Sequence, residues 1–149
     1  MRAVDGAGNA GFSAAVAYIA AGSTGATYGL GAGASGGPPP DLRSLCEPHA
    51  GSPLYLLGEG LAGAPVFLGL SLAAFGPFPV PGLPDLVLNI DPGAPLILVA
   101  QAASDAAGRS VSAFELPPGS AGVALYAQLL ELAPSLVFGS SQGLQLPIL

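Results

Sequence analysis

Leu86-Val87-Leu88-Asn89-Ile90, Asp91-Pro92-Gly93, Ala94-Pro95-Leu96-Ile97-Leu98-Val99-Ala100-Gln101-Ala102, then Ala103-Ser104-Asp105-Ala106-Ala107-Gly108 and Arg109-Ser110-Val111-Ser112-Ala113-Phe114: three apolar runs with two turns between them. Asp bonds its own backbone two residues on, Pro presets φ, and Gly accepts positive φ, so Asp91-Pro92-Gly93 and Ser104–Gly108 read as turns. The same alternation extends outward to Pro53–Leu57, Ala64–Leu72, Val123–Leu132 and Gly143–Ile148. Between them lie Gly58-Glu59-Gly60, the Pro-rich 76–84 loop, Pro117–Ala121 and Gly139–Gln142. Strand and turn repeating about every ten residues predicts an antiparallel β-sandwich of about seven to nine short strands, all-β in class. Val123–Leu132 also has helix-forming Ala, Leu, Gln and Glu, but its neighbours are short and β-like, which favours strand.

The composition agrees. The chain has 149 residues, which suits one domain or one domain plus a fragment. Hydrophobic residues make up 51% and charged ones 8%, against roughly 25% charged in ordinary soluble proteins. Gly (23) and Pro (16) exceed a quarter of the chain without a three-residue period, which excludes collagen. A mean hydropathy of +0.64 opposes disorder. A net charge of −6 and a pI near 4.2 argue against nucleic acid and against an anionic membrane surface. The uncharged run Gly60–Pro84 is long enough to span a bilayer, but five prolines and four interior glycines break it, so no membrane span is expected. Met1-Arg2 leads to Asp5-Gly6 rather than to the apolar core of a signal peptide. Alone that suggests cytoplasm; the expectation is instead that the sequence begins inside a longer protein.

That expectation comes from residues 1–20. Val4-Asp5-Gly6-Ala7-Gly8-Asn9, followed by an apolar strand with Phe12, Ala14, Val16 and Tyr18 on one face, resembles the last hairpin of a fibronectin type III or immunoglobulin-like module. A lone hairpin is marginal in water. Either the rest of that module is missing or the hairpin has been recruited onto the next domain. Residues 21–40, ending Gly36-Gly37-Pro38-Pro39-Pro40, read as a Gly/Ser/Pro linker-like stretch.

From Tyr28 to Leu149 the chain resembles an uncharacterised family of exported, C-terminal β domains found mainly in planctomycetes and similar bacteria. The carrying segments are Tyr28-Gly29-Leu30-Gly31-Ala32-Gly33, Val66-Phe67-Leu68-Gly69-Leu70-Ser71, Pro77 through Leu83, and Asp105-Ala106-Ala107-Gly108. Phe114-Glu115-Leu116-Pro117, Leu125-Tyr126-Ala127-Gln128 and Ser141-Gln142-Gly143-Leu144 complete them. The resemblance implies a sandwich-like domain at 28–149, exported to the cell surface or extracellular space, with the export signal upstream. It implies no activity. The family carries two Cys where this chain has Ala32 and Leu83, and their joint loss is what a shared disulfide implies. Such a bridge contributes roughly 2–4 kcal/mol. Cys46 is the only cysteine here.

Chemistry-bearing constellations are sparse. Gly31-Ala32-Gly33-Ala34-Ser35-Gly36 fits G-x-G-x-x-G, but Gly37-Pro38-Pro39-Pro40 follows where a dinucleotide site needs a helix. His49 is the only histidine; Asp41, Ser44 and Cys46 lie near it in sequence, without a nucleophile elbow, and a polar loop is the expected reading. Cys46 and His49 are too few for zinc. Asp85, Asn89 and Asp91 could offer oxygens to calcium, set against a plain turn at Asp91-Pro92-Gly93. Glu59, Glu115 and Glu131 are scattered, and one His with no Lys is a poor acid–base inventory. Tyr18, Tyr28, Tyr55 and Tyr126 could stack on sugars, although Trp is absent; Tyr55 and Tyr126 read better as core or edge residues. The expected function is a non-catalytic structural or interaction domain of an exported multidomain bacterial protein. Its partners would be other domains of the same chain, or cell-surface proteins and glycans, with no cofactor. The alternative is a carbohydrate- or calcium-binding module, and a hydrolase comes third.

Overall fold

A computed structural model describes residues 2–4, 10–12, 25–83 and 85–149. At the N-terminus β1 (Arg2–Val4) pairs antiparallel with β2 (Ala10–Phe12), Arg2 opposite Phe12. The expected turn at 5–9, and Ala14, Val16 and Tyr18 of the expected face, lie outside the described residues. The strands that follow are β3 (Ala26–Tyr28), β4 (Asp41–Ser44), β5 (Pro53–Glu59), β6 (Pro65–Ser71) and β7 (Ala74–Pro79). Then come β8 (Val87–Ile90), β9 (Leu96–Ala103), β10 (Arg109–Glu115), β11 (Ala124–Leu132), β12 (Phe138–Ser140) and β13 (Gly143–Pro147). The fold is all-β and every strand pair is antiparallel.

A large sheet runs in the order β3-β13-β11-β6-β9, with β12 beside the second half of β11. A smaller sheet, β10-β5-β4, packs on one of its faces. Alternation explains how. Leu54 and Leu56 of β5 point inward with Leu42 of β4, and meet Val66, Leu68 and Leu70 of β6, Leu129 of β11, and Leu144 and Leu146 of β13. Burying each such side chain stabilises by about 1.5–3 kcal/mol, so this seam is the main source of stability. Gly58 continues the inward row because Leu129 leaves no room: a Cβ there would sit 2.7 Å from Leu129 Cδ2.

Apart from Glu131, β6 and β11 carry apolar or neutral residues on both faces, since a third layer covers the other side. That layer is the hairpin of β7 and β8. Its contact with the large sheet joins the buried Ile90 to a polar seam, and Gln128 of β11 is the centre of that seam. Gln128 is fully buried. Its Oε1 accepts from Asn89 N at 3.0 Å and its Nε2 donates to Val87 O at 2.7 Å. This is the pair of bonds a parallel strand would make to the edge of β8 turned away from β7. Ser140 Oγ accepts from Val87 N (3.1 Å), and Tyr28 Oη donates to Asn89 O (2.8 Å), completing that edge.

Asn89 repeats the device. Its Nδ2 donates to Leu30 O (2.8 Å) and its Oδ1 accepts from Leu30 N (3.1 Å). Gly29, at φ +71°, makes room: a Cβ there would lie 2.0 Å from Asn89 Oδ1. Beneath them the partner strand of β11 bulges. Pairing shifts from Leu130↔Ser140 to Ala127↔Leu144, leaving Ser141 to serve the ladder twice. Leu129 N donates to Ser141 Oγ (3.0 Å), and Ser141 N donates to Leu129 O (2.9 Å). The Ser141 carbonyl, freed from the ladder, accepts from Gln128 Nε2 (2.9 Å).

Several expectations change. The 76–84 loop holds most of β7, because prolines at 77 and 79 cost little in a strand whose second edge is unpaired among the described residues. Residues 26–40, expected as linker, form β3, a bridge between Ala32 and Ser140, and a single 3₁₀ turn at Ala34–Gly36. Gly29, Gly31 and Gly33 thread tight space rather than supply slack: a Cβ on Gly33 would lie 1.9 Å from Gly37 O. Residues 21–24 lie outside the described residues. Strands β3, β4 and β12 are additions: β3 and β4 are short and lie within or directly after the Gly/Pro stretch, and β12 overlaps the expected turn at Gly139–Gln142. With them the two packed sheets hold nine strands, within the expected seven to nine, and β7 and β8 form a separate hairpin. Ala124–Leu132 is a strand, as favoured over helix.

Gln128→Leu keeps the volume but leaves Val87 O and Asn89 N unpaired in a buried seam, so we expect a loss of about 2–4 kcal/mol in urea unfolding. Native-state amide exchange at Asn89 should accelerate more than exchange at Leu56.

Candidate functional site

The hairpin of β7 and β8 presents the most distinctive surface. Ser71 ties its base: Ser71 Oγ donates to Asp91 O (3.2 Å) and accepts from Ala73 N (3.2 Å), while Asp91 N donates to Ala73 O (3.1 Å). Its far turn is closed by Val80 N to Leu86 O (2.9 Å) and Leu83 N to Val80 O (3.0 Å). Asp85 Oδ2 accepts from Ser35 N (3.0 Å), linking that turn to the 3₁₀ turn. β8 is thus held down on the large sheet, with Ile90 Cδ1 over Gly69.

β7 is left outside. All six of its residues, Ala74-Phe75-Gly76-Pro77-Phe78-Pro79, are exposed, and none has a hydrogen-bonding side chain. Phe75 (39% exposed) and Phe78 (43%) meet edge to face with centroids 5.8 Å apart. Leu72 and Leu83 are exposed at either end of the hairpin. Single exposed apolar residues are ordinary but contiguous ones are not, which makes this cluster the candidate contact surface. Sequence reasoning missed Phe75 and Phe78 by assigning 76–84 to a loop. The available signal was Phe78 between Pro77 and Pro79, with Phe75 three residues before it.

The residues singled out for calcium have other work. Asn89 is buried with its oxygen on Leu30 N, Asp85 holds Ser35 N, and Asp91 Oδ1 accepts from Gly93 N (2.8 Å) in an Asx turn. Among the described residues no three His, Cys, Asp or Glu gather as a metal cluster would. Ser44 is buried and its Oγ donates to Cys46 O (2.6 Å), whereas His49 is exposed with Nε2 3.5 Å from Glu47 Oε2. Cys46 Sγ lies 3.8 Å from Pro53 O. Asp41 lies instead in an open cleft of about 240 Å³ with Thr27, Leu30, Pro39 and Gln142. Gly31–Gly36 is followed by extended chain at Gly37, φ −71° and ψ −177°, so no helix N-terminus faces it.

The three glutamates are also separated. Glu59 binds Arg43 (2.6 Å) and Arg109 (3.0 Å) at one end of the small sheet, and Glu115 is exposed at the other. Glu131 is buried, its Oε2 accepting from Leu61 N (2.8 Å), and so caps the loop between β5 and β6. That loop also meets the Asp105–Gly108 turn, where Asp105 Oδ1 accepts from Ala107 N and Arg109 N, both at 2.8 Å. Gly108 (φ +76°) is required there, as a Cβ would lie 2.1 Å from Gly60 O.

Of the tyrosines, Tyr55 is exposed on the small sheet while Tyr28 and Tyr126 stack edge to face at 5.8 Å. Burial, and then the neighbouring Tyr126, push the Tyr28 phenol up from 10.0 to about 12. No protein family, no curated protein and no solved structure matches the chain.

An absorbance titration should therefore show a tyrosine ionising near pH 12 that Tyr28→Phe removes. Because the folded state holds this proton more tightly than the unfolded chain, the Tyr28 contribution to stability is intact below pH 10 and is lost as pH rises through about 12.

Proposed function

We propose that the chain is a non-catalytic interaction domain of an exported multidomain protein, docking through the outer surface of β7. The exposed, hydrogen-bond-free strand with its Phe75–Phe78 pair supports this reading. Pro77 and Pro79 lack N–H groups, so β7 is a poor template for an added strand, and the partner meets side chains rather than backbone. A sugar presents hydroxyls, and none of the six β7 side chains can bond them. The surface therefore favours an apolar patch on another protein, or on another domain of the same chain, over a glycan. The engaged oxygens of Asp85, Asn89 and Asp91 weigh likewise against the calcium alternative.

The test places a photo-crosslinking amino acid at Phe78 in the full-length protein in its producing cell. We expect a discrete protein or interdomain adduct that is lost with Phe75→Ser and absent when the crosslinker sits at Pro118. Adducts equal at Phe78 and Pro118 would overturn the reading. So would a glycan-array signal abolished by Phe78→Ser.

A further inference from the structure

The outer face of the small sheet has an unusual plan. An exposed face of an antiparallel sheet is normally polar. Here the register places Tyr55 opposite Ala113, and Leu57, itself buried, between Arg43 and Val111 in the middle. Tyr55 is 40% exposed and Val111 50%. Charge is confined to the ends of β10, Arg109 at one and Glu115 at the other, about 20 Å apart. Glu59 takes the Arg109 Nε with one oxygen and Arg43 with the other, leaving the terminal amino groups of Arg109 unclaimed by Glu59. Asp41, opposite Glu59 on β4, lies at the rim of the same end.

This pattern is self-complementary. We infer that two copies of the chain pack these faces together about a twofold axis lying in the interface, across the strands at the level of Ser112 and Leu56. Such an axis reverses strand direction and keeps each strand over its own copy. Arg109 then faces the second copy's Glu115 and Val111 its Ala113, so that one ion pair is formed twice by symmetry, with Tyr55 exposed beside it. Sheets pack face to face in this way at about 10 Å. The face measures roughly 24 by 14 Å from strand geometry, below the ~800 Å² per partner of a standard interface, so the dimer is a weak one. It uses a different face from β7 and stands independently of the proposed function.

Sedimentation velocity of the chain from about 1 μM to about 500 μM tests it, a range that brackets weak association. The expected result is a monomer that becomes a dimer within that range, and less so in high salt. Val111→Lys should raise the dimer Kd more than about tenfold, and Glu115→Arg about threefold to tenfold. Both should unfold near the wild-type urea midpoint, because both sites are exposed. Phe75→Ser/Phe78→Ser should leave the dimer unchanged. A monomer throughout overturns the inference, as does a dimer that survives Val111→Lys or depends on Phe75 and Phe78.

Discussion

The side-chain amide of Gln128 holds the third layer of this fold in place. A two-stranded hairpin has little stability of its own, and the β7–β8 pair gives few apolar side chains to the large sheet. It stays because Gln128 offers β8 a donor and an acceptor spaced like those of a neighbouring strand. Asn89 makes the same kind of pair with Leu30, so two amide side chains bind three segments distant in sequence. Every buried side-chain N or O among the described residues has a partner. That completeness matters in a low-dielectric seam, where a half-satisfied network costs more than an apolar one.

The two interfaces of the large sheet therefore work differently. The Leu54–Leu68–Leu129–Leu144 side is tolerant: hydrophobic residues of similar volume exchange there at modest cost. The Gln128–Asn89–Ser141 side is directional, and fixes one position of β8 along β11. Sandwich stability comes from the first; the display of Phe75 and Phe78 depends on the second. Even the bulge at Ser141 belongs to this division, since it turns a ladder carbonyl out toward both amides.

What could be read from the residues follows the same line. Leu54, Leu56, Leu68 and Leu70 announce strands because inward burial imposes a two-residue period. The turns at Asp91-Pro92-Gly93 and Asp105–Gly108 were visible because Asp and Gly are there for reasons local to the chain. β3 and β4 were hidden among Gly and Pro, as their pairing is set by β13 and β5, more distant in sequence. Asn89 showed only as an oxygen donor; that it faces Leu30 rather than a cation is a tertiary fact. The Phe75–Phe78 surface was hidden by its prolines, which argue against a central strand but are at home in an edge one.

The pairing of β3 with β13 has a consequence for how the chain is made. Tyr28 finds its ladder position only against Gly143, and Ala26 only against Gln145. During synthesis the large sheet must wait, its first strand unmatched, until the last one has been added. Contacts of such long range form slowly, so this edge of the nascent sandwich stays open until β13 has been made. Whatever handles the domain in that interval meets an unpaired sheet edge rather than a finished sandwich.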